Sequence, residues 1–314
     1  MRTNARALAY LAGAVLFWGT SFAVTKSAYS TLPPMTVVWL RMTIAMVAFL
    51  PLLTRVKKPD YRPGDWRWLG LAALFLPCLY FLLEGFAIRF TTSSQAGVVS
   101  AVMPLIVAVS GWVVLRERPA SRTAIAVVVS IVGVAGLSLG GTAQASAPNP
   151  VLGNVLELGA MFAAAGATLT ISRLSSRYDP LLITGLQMAA GSVFFAPLAL
   201  ASGPIDWAAV PASAWAAVAY LGVACGLAAF GLYNSALQLL PAARAALTIN
   251  LVPAVALVTG WLALGETMSW LQAGACAVII GAVVYAEARP AVRMGKTEAV
   301  PVAESLPSDP GAAS

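Results

Sequence analysis

The sequence contains no histidine and little charge of either sign. Only 10% of its 314 residues are Asp, Glu, Lys or Arg, 60% are hydrophobic, and the mean hydropathy is +0.83. A soluble domain carries roughly 25% charged residues to cover its surface in water. The composition therefore argues against a soluble enzyme, and the lack of histidine excludes a His-based metal site or proton relay.

Cysteines and cofactor motifs are equally scarce. Cys78, Cys225 and Cys276 all lie inside apolar runs without the CxxC spacing of redox or metal sites, so we interpret them as small packing residues. The sequence has no Walker A motif for ATP and no HExxH, GxSxG or cofactor-binding box. We therefore expect no cofactor, no metal and no catalytic residue, and the protein is not expected to be an enzyme.

Long apolar runs dominate the chain instead. A helix needs about 20 apolar residues to cross the hydrocarbon core of a bilayer. The runs predict an all-α integral membrane protein with ten transmembrane helices, at residues 7–28, 34–54, 67–88, 92–115, 121–140, 151–172, 180–201, 212–236, 242–264 and 269–287. The stretch 289–314 is rich in Pro, Ala and Ser without an apolar period, and it is predicted to be a disordered cytoplasmic tail.

Basic residues are distributed unevenly between alternate loops. When the N-terminus is placed inside, all but three of the 19 Lys and Arg residues fall on the inner side; Lys26 and Arg89 lie outside, and Arg41 lies within the second span. Lys and Arg accumulate on the cytoplasmic side of membrane proteins. The distribution predicts that both termini face the cytoplasm, and it assigns the net charge of +7 to orientation and anionic lipid rather than to nucleic acid.

The second half of the chain repeats residue types of the first half in the same order. The matched pairs are Pro34 with Pro180, Arg41 with Gln187, Met42 with Met188, Trp66 with Trp215, Phe81 with Phe230, Pro104 with Pro253 and Glu117 with Glu266, at offsets of 146 to 149. Because each half holds five spans, an odd number, the second half must be inserted upside down. We therefore predict two inverted five-helix repeats, at 7–140 and 151–287, an architecture typical of secondary transporters with a midplane substrate site.

Motifs around the two matched glutamates resemble those of a known family. VVLRE at 113–117 and LGE at 264–266 stand between a proline upstream and a glycine downstream, and FWGTSF at 17–22 lies in the first span. Together they resemble the EamA-type transporters of the drug/metabolite transporter superfamily over about residues 8–287. Arg116 departs from the small residue usual before the glutamate. The resemblance implies ten helices in two inverted repeats and export of metabolites or amino acids across the bacterial inner membrane.

Two ionisable residues within the spans are candidates for substrate binding, because charge at bilayer depth is costly. Arg41 could bind a substrate carboxylate with its two-pronged guanidinium, or it could lock two helices by pairing with Glu84 or an exposed carbonyl. Glu84 lies one turn after Tyr80 and could titrate during transport or receive an ammonium group. Alternatively it could pair with Arg41 or Arg89.

Three other acidic residues are interpreted as structural. Glu157 falls in the first outer turns of the sixth span, where the helix dipole favours a carboxylate. Glu117 and Glu266 each follow the end of a span and precede the start of the next, so we expect both to be helix caps on opposite membrane faces.

Polar and aromatic residues deep in the spans are predicted to complete a central binding cavity. Beside Arg41 and Glu84, the predicted substrate-binding set comprises Trp18, Thr20, Ser21, Tyr80, Gln187, Tyr233, Asn234 and Asn250. The symmetric Pro104 and Pro253 are candidate bending points for gating, with a static kink as the alternative.

The favoured function is secondary transport, with export of small metabolites, amino acids first, by alternating access. The expected partners are the solute and membrane lipids, with no nucleic acid; a homodimer is possible through the nearly uncharged fifth and tenth spans. Efflux of hydrophobic or cationic drugs is the alternative, and it would favour acids and aromatics over Arg41. A membrane scaffold without transport, or a membrane enzyme, is less favoured because no acidic or His cluster lies near one interface.

Overall fold

The computed structural model describes residues 2–115, 121–139, 147–240, 245, 249 and 251–287, and its regular elements are helices. They are α1 (Arg2–Ala28), α2 (Pro34–Phe49), α3 (Asp65–Ala73), α4 (Tyr80–Phe90), α5 (Ser93–Val99), α6 (Met103–Leu115), α7 (Ser121–Leu139), α8 (Pro150–Leu174), α9 (Pro180–Leu200), α10 (Ala212–Tyr220), α11 (Ala229–Leu237), α12 (Val252–Leu264) and α13 (Trp270–Glu287). The predicted tail at 289–314, Glu117 and Asn250 lie outside the described residues.

Six helices in the described part of the chain are long and apolar enough to cross a membrane. They are Ala5–Ala28, Pro34–Arg55, Asp65–Phe90, Pro150–Leu174, Pro180–Leu200 and Ala212–Leu237. Four shorter apolar helices, Ser93–Val107, Val128–Leu137, Val252–Leu264 and Trp270–Ala282, coincide with the other four predicted spans. The all-helical, multi-pass character is as predicted, whereas the count of ten crossings stays a prediction.

Two of the long spans are interrupted at equivalent places. Between α3 and α4 the segment Leu74–Leu79 is π-helical, and Leu76 there has non-helical backbone angles (φ −141°, ψ 113°) before Pro77. Between α10 and α11 the segment Leu221–Ala228 is also π-helical. An offset of 149 residues, the one that relates Trp66 to Trp215, superimposes the two interruptions. Such π-bulges inside helices are frequent at functional sites.

The symmetric prolines begin helices rather than interrupt them. The predicted span 92–115 divides into α5, a 3-10 turn at Ser100–Val102 and α6, and Pro104 is the second residue of α6. Pro253 is likewise the second residue of α12. Proline is tolerated in the first turn of a helix because the backbone N–H that it lacks has no partner there.

Helices of the two halves interleave instead of forming two separate bundles. In the described residues, α12 packs on α1 and α5, α9 on α2, α8 on α4, and α13 on α7. The approach is close at Gly19 and Gly97, where an added Cβ would collide with the side chains of Val255 and Ala256. Any space at the centre is therefore lined by both halves.

An ion pair joins the start of α3 to the turn between α8 and α9. Arg177 donates from Nη1 and Nη2 to the two oxygens of Asp65 over 2.6 and 2.9 Å, and the Tyr178 hydroxyl donates to Asp65 Oδ2 over 3.0 Å. Burial, followed by the contact with Asp65, raises the pKa of Tyr178 to about 12. This clamp holds the two halves together at the side predicted to face the cytoplasm.

Candidate functional site

A cavity lies at the centre of the molecule, between the two halves. Its volume is about 70 Å³, so it is narrow in this conformation. Its wall is mostly apolar and aromatic, with a few polar groups. The lining comprises Trp18, Ser21, Phe22, Arg41, Leu76, Tyr80, Phe81, Glu84, Ser100, Met103, Met161, Ala164, Ala167, Thr168, Ile171, Gln187, Phe230, Tyr233, Asn234, Ile249 and Val252.

Opposite charges from α2 and α4 meet on this wall. Arg41 Nη1 lies 4.0 Å from Glu84 Oε2, and both side chains are buried. The Arg41 guanidinium carbon lies 4.5 Å from the centre of the Phe81 ring, and its Nε has no hydrogen-bond partner in the described residues. Glu84 Oε1 accepts from the Tyr80 hydroxyl over 2.5 Å. The pair is too wide for a strong hydrogen bond, so hydrogen-bonding capacity is left on Arg41.

Amide side chains form the part of the wall contributed by α9 and α11. Gln187 Nε2 donates to the Leu76 carbonyl over 3.0 Å, at the interruption of the α3–α4 span. Asn234 Nδ2 donates to Thr184 Oγ1 over 2.9 Å and contacts Gln187 Oε1 at 3.3 Å. The carbonyl oxygen of Asn234 is buried without a partner among the described residues, so it is available as an acceptor.

The interruption of the α10–α11 span is held in the same manner, by a side chain of the first half. Trp18 Nε1 donates to the Cys225 carbonyl over 3.2 Å, and its ring packs edge-on against Phe230 and Tyr233 at centroid distances of 4.9 and 5.3 Å. Residues 76 and 225 are 149 apart. Each half therefore supplies one cavity side chain, Gln187 or Trp18, to a backbone carbonyl in the broken span of the other half.

Eight of the ten residues predicted to bind substrate lie on the cavity wall: Trp18, Ser21, Arg41, Tyr80, Glu84, Gln187, Tyr233 and Asn234. Thr20 does not. Its hydroxyl contacts the carbonyls of Leu16 and Phe17 and the Tyr220 hydroxyl (2.7 Å), because it projects from the other side of α1. Asn250 lies outside the described residues.

Several lining residues were missed by the sequence analysis. Phe81 and Phe230 carry much of the aromatic surface, and Thr168 hydrogen-bonds the Tyr233 hydroxyl over 3.1 Å. The two phenylalanines are a matched pair of the repeat, so a signal for them was present. No sequence signal pointed to Thr168, because a lone threonine in an apolar helix is common.

The structure corrects the interpretation of Glu157. It is the eighth residue of α8, beyond the first turn whose N–H groups could stabilise a carboxylate, and it is completely buried. Neither of its carboxylate oxygens has a partner in the described residues. The helix dipole therefore does not explain this side chain.

Glu266 is a helix cap, but it caps a helix of the other half. Its two oxygens accept from the backbone N–H groups of Ser93 and Ser94, both over 2.8 Å, and the Ser94 hydroxyl adds a bond of 2.6 Å. Lys26 lies beside it and donates to the carbonyls of Ile88 and Thr91 at the end of α4. We name the contact of Glu266 with Ser93 and Ser94 the Glu266 latch; it joins the halves at the side predicted to face outward.

In the described ranges, no group of three or more Cys, Asp or Glu side chains could hold a metal ion. The cavity offers a guanidinium, a carboxyl, two amides and aromatic faces, which are groups that can contact a small solute.

Comparisons with known proteins agree with the fold. The uncharacterized transporter YetK of Bacillus subtilis is 25% identical over 298 residues, covering 94% of this chain and 89% of its own. YcxC of the same organism is 27% identical over 274 residues (84% and 88%). An uncharacterized transporter of Archaeoglobus fulgidus is 26% identical over 275 residues (86% and 93%).

A protein crystal structure superimposes with a TM-score of 0.64 and 21% identity, over 89% of this chain and 95% of that chain, which shows the fold alone. The EamA-like transporter family matches residues 5–139 and again 151–286, which together are nearly the whole described chain. The apolar spans and these matches identify the protein as a multi-pass membrane member of the EamA-like transporter family.

Proposed function

We propose that this protein is a secondary transporter that exports small metabolites, amino acids first among them, across the inner membrane. Its ten spans form two inverted five-helix repeats with both termini in the cytoplasm. The double match to one family supports the duplication, and the equivalent interruptions at Leu76 and Cys225 agree with it. Membership in a transporter family also argues for transport rather than catalysis or a scaffold role.

The observation that carries the choice of substrate is the pair of opposite charges on one cavity wall. Arg41 and Glu84 are 4.0 Å apart, and the Nε of Arg41 has no partner in the described residues. A zwitterion presents a carboxylate to the guanidinium and an ammonium to the carboxyl, so each protein charge gains a second partner.

The position of the cavity between the two halves supports an alternating-access mechanism. The two halves rock around it, opening one side while the other closes. The Glu266 latch closes the side predicted to face outward, and Pro104 and Pro253, at the starts of α6 and α12, are the proposed bending points. In this conformation the solute would leave toward the outside only after the latch opens.

Efflux of cationic amphipathic drugs is the second candidate function. Trp18, Phe81, Phe230 and Tyr233 give the cavity an aromatic wall, and Glu84 supplies a carboxyl that a cation could approach. Under this alternative, Arg41 serves only to hold Glu84 in place.

Uptake into proteoliposomes separates the two functions. The purified protein is tested with a set of labelled amino acids and a set of carboxylate-free cations, with and without a pH gradient, beside Arg41→Gln. We expect flux of amino acids above empty liposomes and its loss in Arg41→Gln. Flux of cations alone, unaffected by Arg41→Gln, favours drug efflux, whereas no flux of any amino acid refutes the amino-acid assignment.

A further inference from the structure

Glu157 is a buried carboxyl that the binding of a solute at Arg41 and Glu84 does not use. Its side chain is completely buried in α8, and both oxygens lack a partner in the described residues. A carboxylate removed from water without donors or a counter-ion is far costlier than the neutral acid, because the charge loses its hydration. In this conformation the side chain is therefore stable with a proton bound.

The position of Glu157 connects it to the cavity. Met161 follows Glu157 by four residues and Ala164 follows it by seven, which places all three on one face of α8. Met161 and Ala164 line the cavity. Glu157 thus lies one turn beyond the cavity, toward the end of α8 that begins at Pro150. It is out of contact with solvent but adjacent to the solute space.

The ionisable groups that act on Glu157 come from two neighbouring helices. Glu84 and Tyr80 on α4, and Tyr29 after α1, interact with it electrostatically. The other segments packed on α8 place no charged side chain there. The helices α5 and α6 have no ionisable side chain, the interrupted segment Leu74–Leu79 carries only the thiol of Cys78, and Tyr233 on α11 is bonded to Thr168. Asp65 and Arg67 lie at the far end of α3, and Arg122 lies in the first turn of α7. The charged group that acts on Glu157 is thus another acid, Glu84, and two neighbouring carboxyls disfavour each other's ionisation.

Polar side chains continue from Glu157 toward the Glu266 latch. Asn154, one turn earlier on α8, accepts from Thr91 Oγ1 over 2.9 Å and donates to Gln95 Oε1 over 3.0 Å. Thr91 is two residues from Ser93, whose N–H is held by Glu266. Hydrogen-bonding groups therefore run from the carboxyl to the side that the latch closes.

We propose that Glu157 is the proton-binding site that couples solute export to a pH gradient. In the closed conformation one carboxyl oxygen carries the proton. When the latch opens and the solute leaves, water enters along Asn154, Thr91 and Gln95, and a proton from that water binds the carboxylate. The proton leaves to water on the cytoplasmic side when that side opens and the next solute binds. Because the charge of Glu84 acts on Glu157, a solute ammonium that neutralises Glu84 makes ionisation of Glu157 easier, and this exchanges the proton for the solute. The coupling of the proton to the solute rests on the proposed transport function, whereas the binding of a proton by Glu157 does not.

Infrared spectroscopy tests the bound proton without any solute. The purified protein in liposomes is titrated while the carbonyl stretch of protonated carboxyl groups is recorded. We expect a band at neutral pH that is lost in Glu157→Gln, shifted in Glu157→Asp and unchanged in Asp60→Asn, because the Asp60 side chain is exposed at the surface and takes no part in the latch or the cavity. The Glu84→Gln variant shows how much of this band comes from Glu84. A band that Glu157→Gln leaves intact overturns the proposal.

Transport measurements test the coupling. In proteoliposomes we expect a pH gradient to accelerate uptake of a transported solute by the wild type and to have no effect on Glu157→Gln, which keeps exchange at equal pH. Wild-type uptake that ignores the gradient, or a Glu157→Gln variant that responds like the wild type, overturns the coupling. If the wild type moves no tested solute, the proposed function fails, and the infrared titration still decides whether Glu157 holds a proton.

Discussion

Arg41 and Glu84 lie on the same wall of the central cavity, with Nη1 and Oε2 4.0 Å apart. At that separation neither charge fully satisfies the other, although both are buried. Phe81 supports the guanidinium from its face and Tyr80 supports the carboxyl. The two hypotheses for Arg41, that it binds a solute and that it locks two helices, are therefore compatible. The Arg41–Glu84 pair holds α2 and α4 in place and keeps hydrogen-bonding capacity for a solute.

Glu84→Gln is expected to weaken the binding of amine-bearing solutes. A hydrogen bond to a charged group contributes about 1.5–3 kcal/mol, so affinity should fall roughly tenfold to a hundredfold. Carboxylates without an amine should lose far less. Competition against a labelled amino acid measures both. Asp60→Asn serves as the control, because the Asp60 side chain is exposed and pairs with Arg62 at the surface. Equal losses for both solute classes in Glu84→Gln would contradict the assignment.

Gly260→Ala is expected to open the Glu266 latch. An added Cβ at residue 260 would lie 2.7 Å from Glu266 Oε2 and would collide with Ser94 Oγ. In sealed vesicles that carry Ser100→Cys, an impermeant thiol reagent on the predicted outer side should modify residue 100 faster in this variant, as read by mass spectrometry.

The control for this experiment is Gly274→Ala, because nothing lies within 4 Å of a Cβ at that position. Glu266→Gln should accelerate labelling in the same direction as Gly260→Ala. Labelling that is equal in all variants would show that the latch does not control access to the cavity.

Gln187→Leu is expected to destabilise the fold. It leaves the Leu76 carbonyl without its donor at the interruption of the α3–α4 span, and an unsatisfied buried group costs about 1–3 kcal/mol. Thermal unfolding in detergent should show a lower midpoint. Ser235→Ala is the matched control, because the Ser235 hydroxyl only adds a hydrogen bond to the Gly231 carbonyl inside a regular helix. If Ser235→Ala lowers the unfolding midpoint as much as Gln187→Leu does, the loss of the donor to Leu76 is not the cause.

Arg177→Gln is expected to lower thermal stability and to leave solute affinity unchanged. The substitution breaks both hydrogen bonds to Asp65, which lies far from the cavity wall. Arg62→Gln should have little effect on the midpoint, since its contact with Asp60 is 3.6 Å long and exposed to water. A loss of affinity in Arg177→Gln would mean that the clamp also shapes the cavity.

The sequence predicted the spans well, because length and hydropathy alone decide where a helix can cross a bilayer. The predicted spans 34–54, 151–172 and 180–201 differ from Pro34–Arg55, Pro150–Leu174 and Pro180–Leu200 by at most two residues at any end. The ends were clear because Pro34, Pro150 and Pro180 occupy first-turn positions, and at the latter two the preceding Asn149 and Asp179 are N-caps.

The partners of the interrupted segments and of the glutamates could not be predicted. Pro77 indicates a kink after Leu76, but nothing in the apolar run shows that Leu76 offers its carbonyl to Gln187. Glu266 was correctly expected to cap a helix, but its partner depends on how the halves interleave. Glu157 was misassigned because sequence position places it near a helix start, whereas only packing shows that its oxygens have no donor.

Equilibrium binding of a labelled amino acid to the purified protein tests the central claim most directly, because it needs neither a gradient nor sealed vesicles. The wild type, Arg41→Gln and Arg177→Gln are compared in the same detergent. The account predicts saturable binding by the wild type, a loss of at least about tenfold in Arg41→Gln from the charged hydrogen bond, and wild-type affinity in Arg177→Gln. Wild-type affinity in Arg41→Gln, or no saturable binding by any of the three proteins, would contradict it.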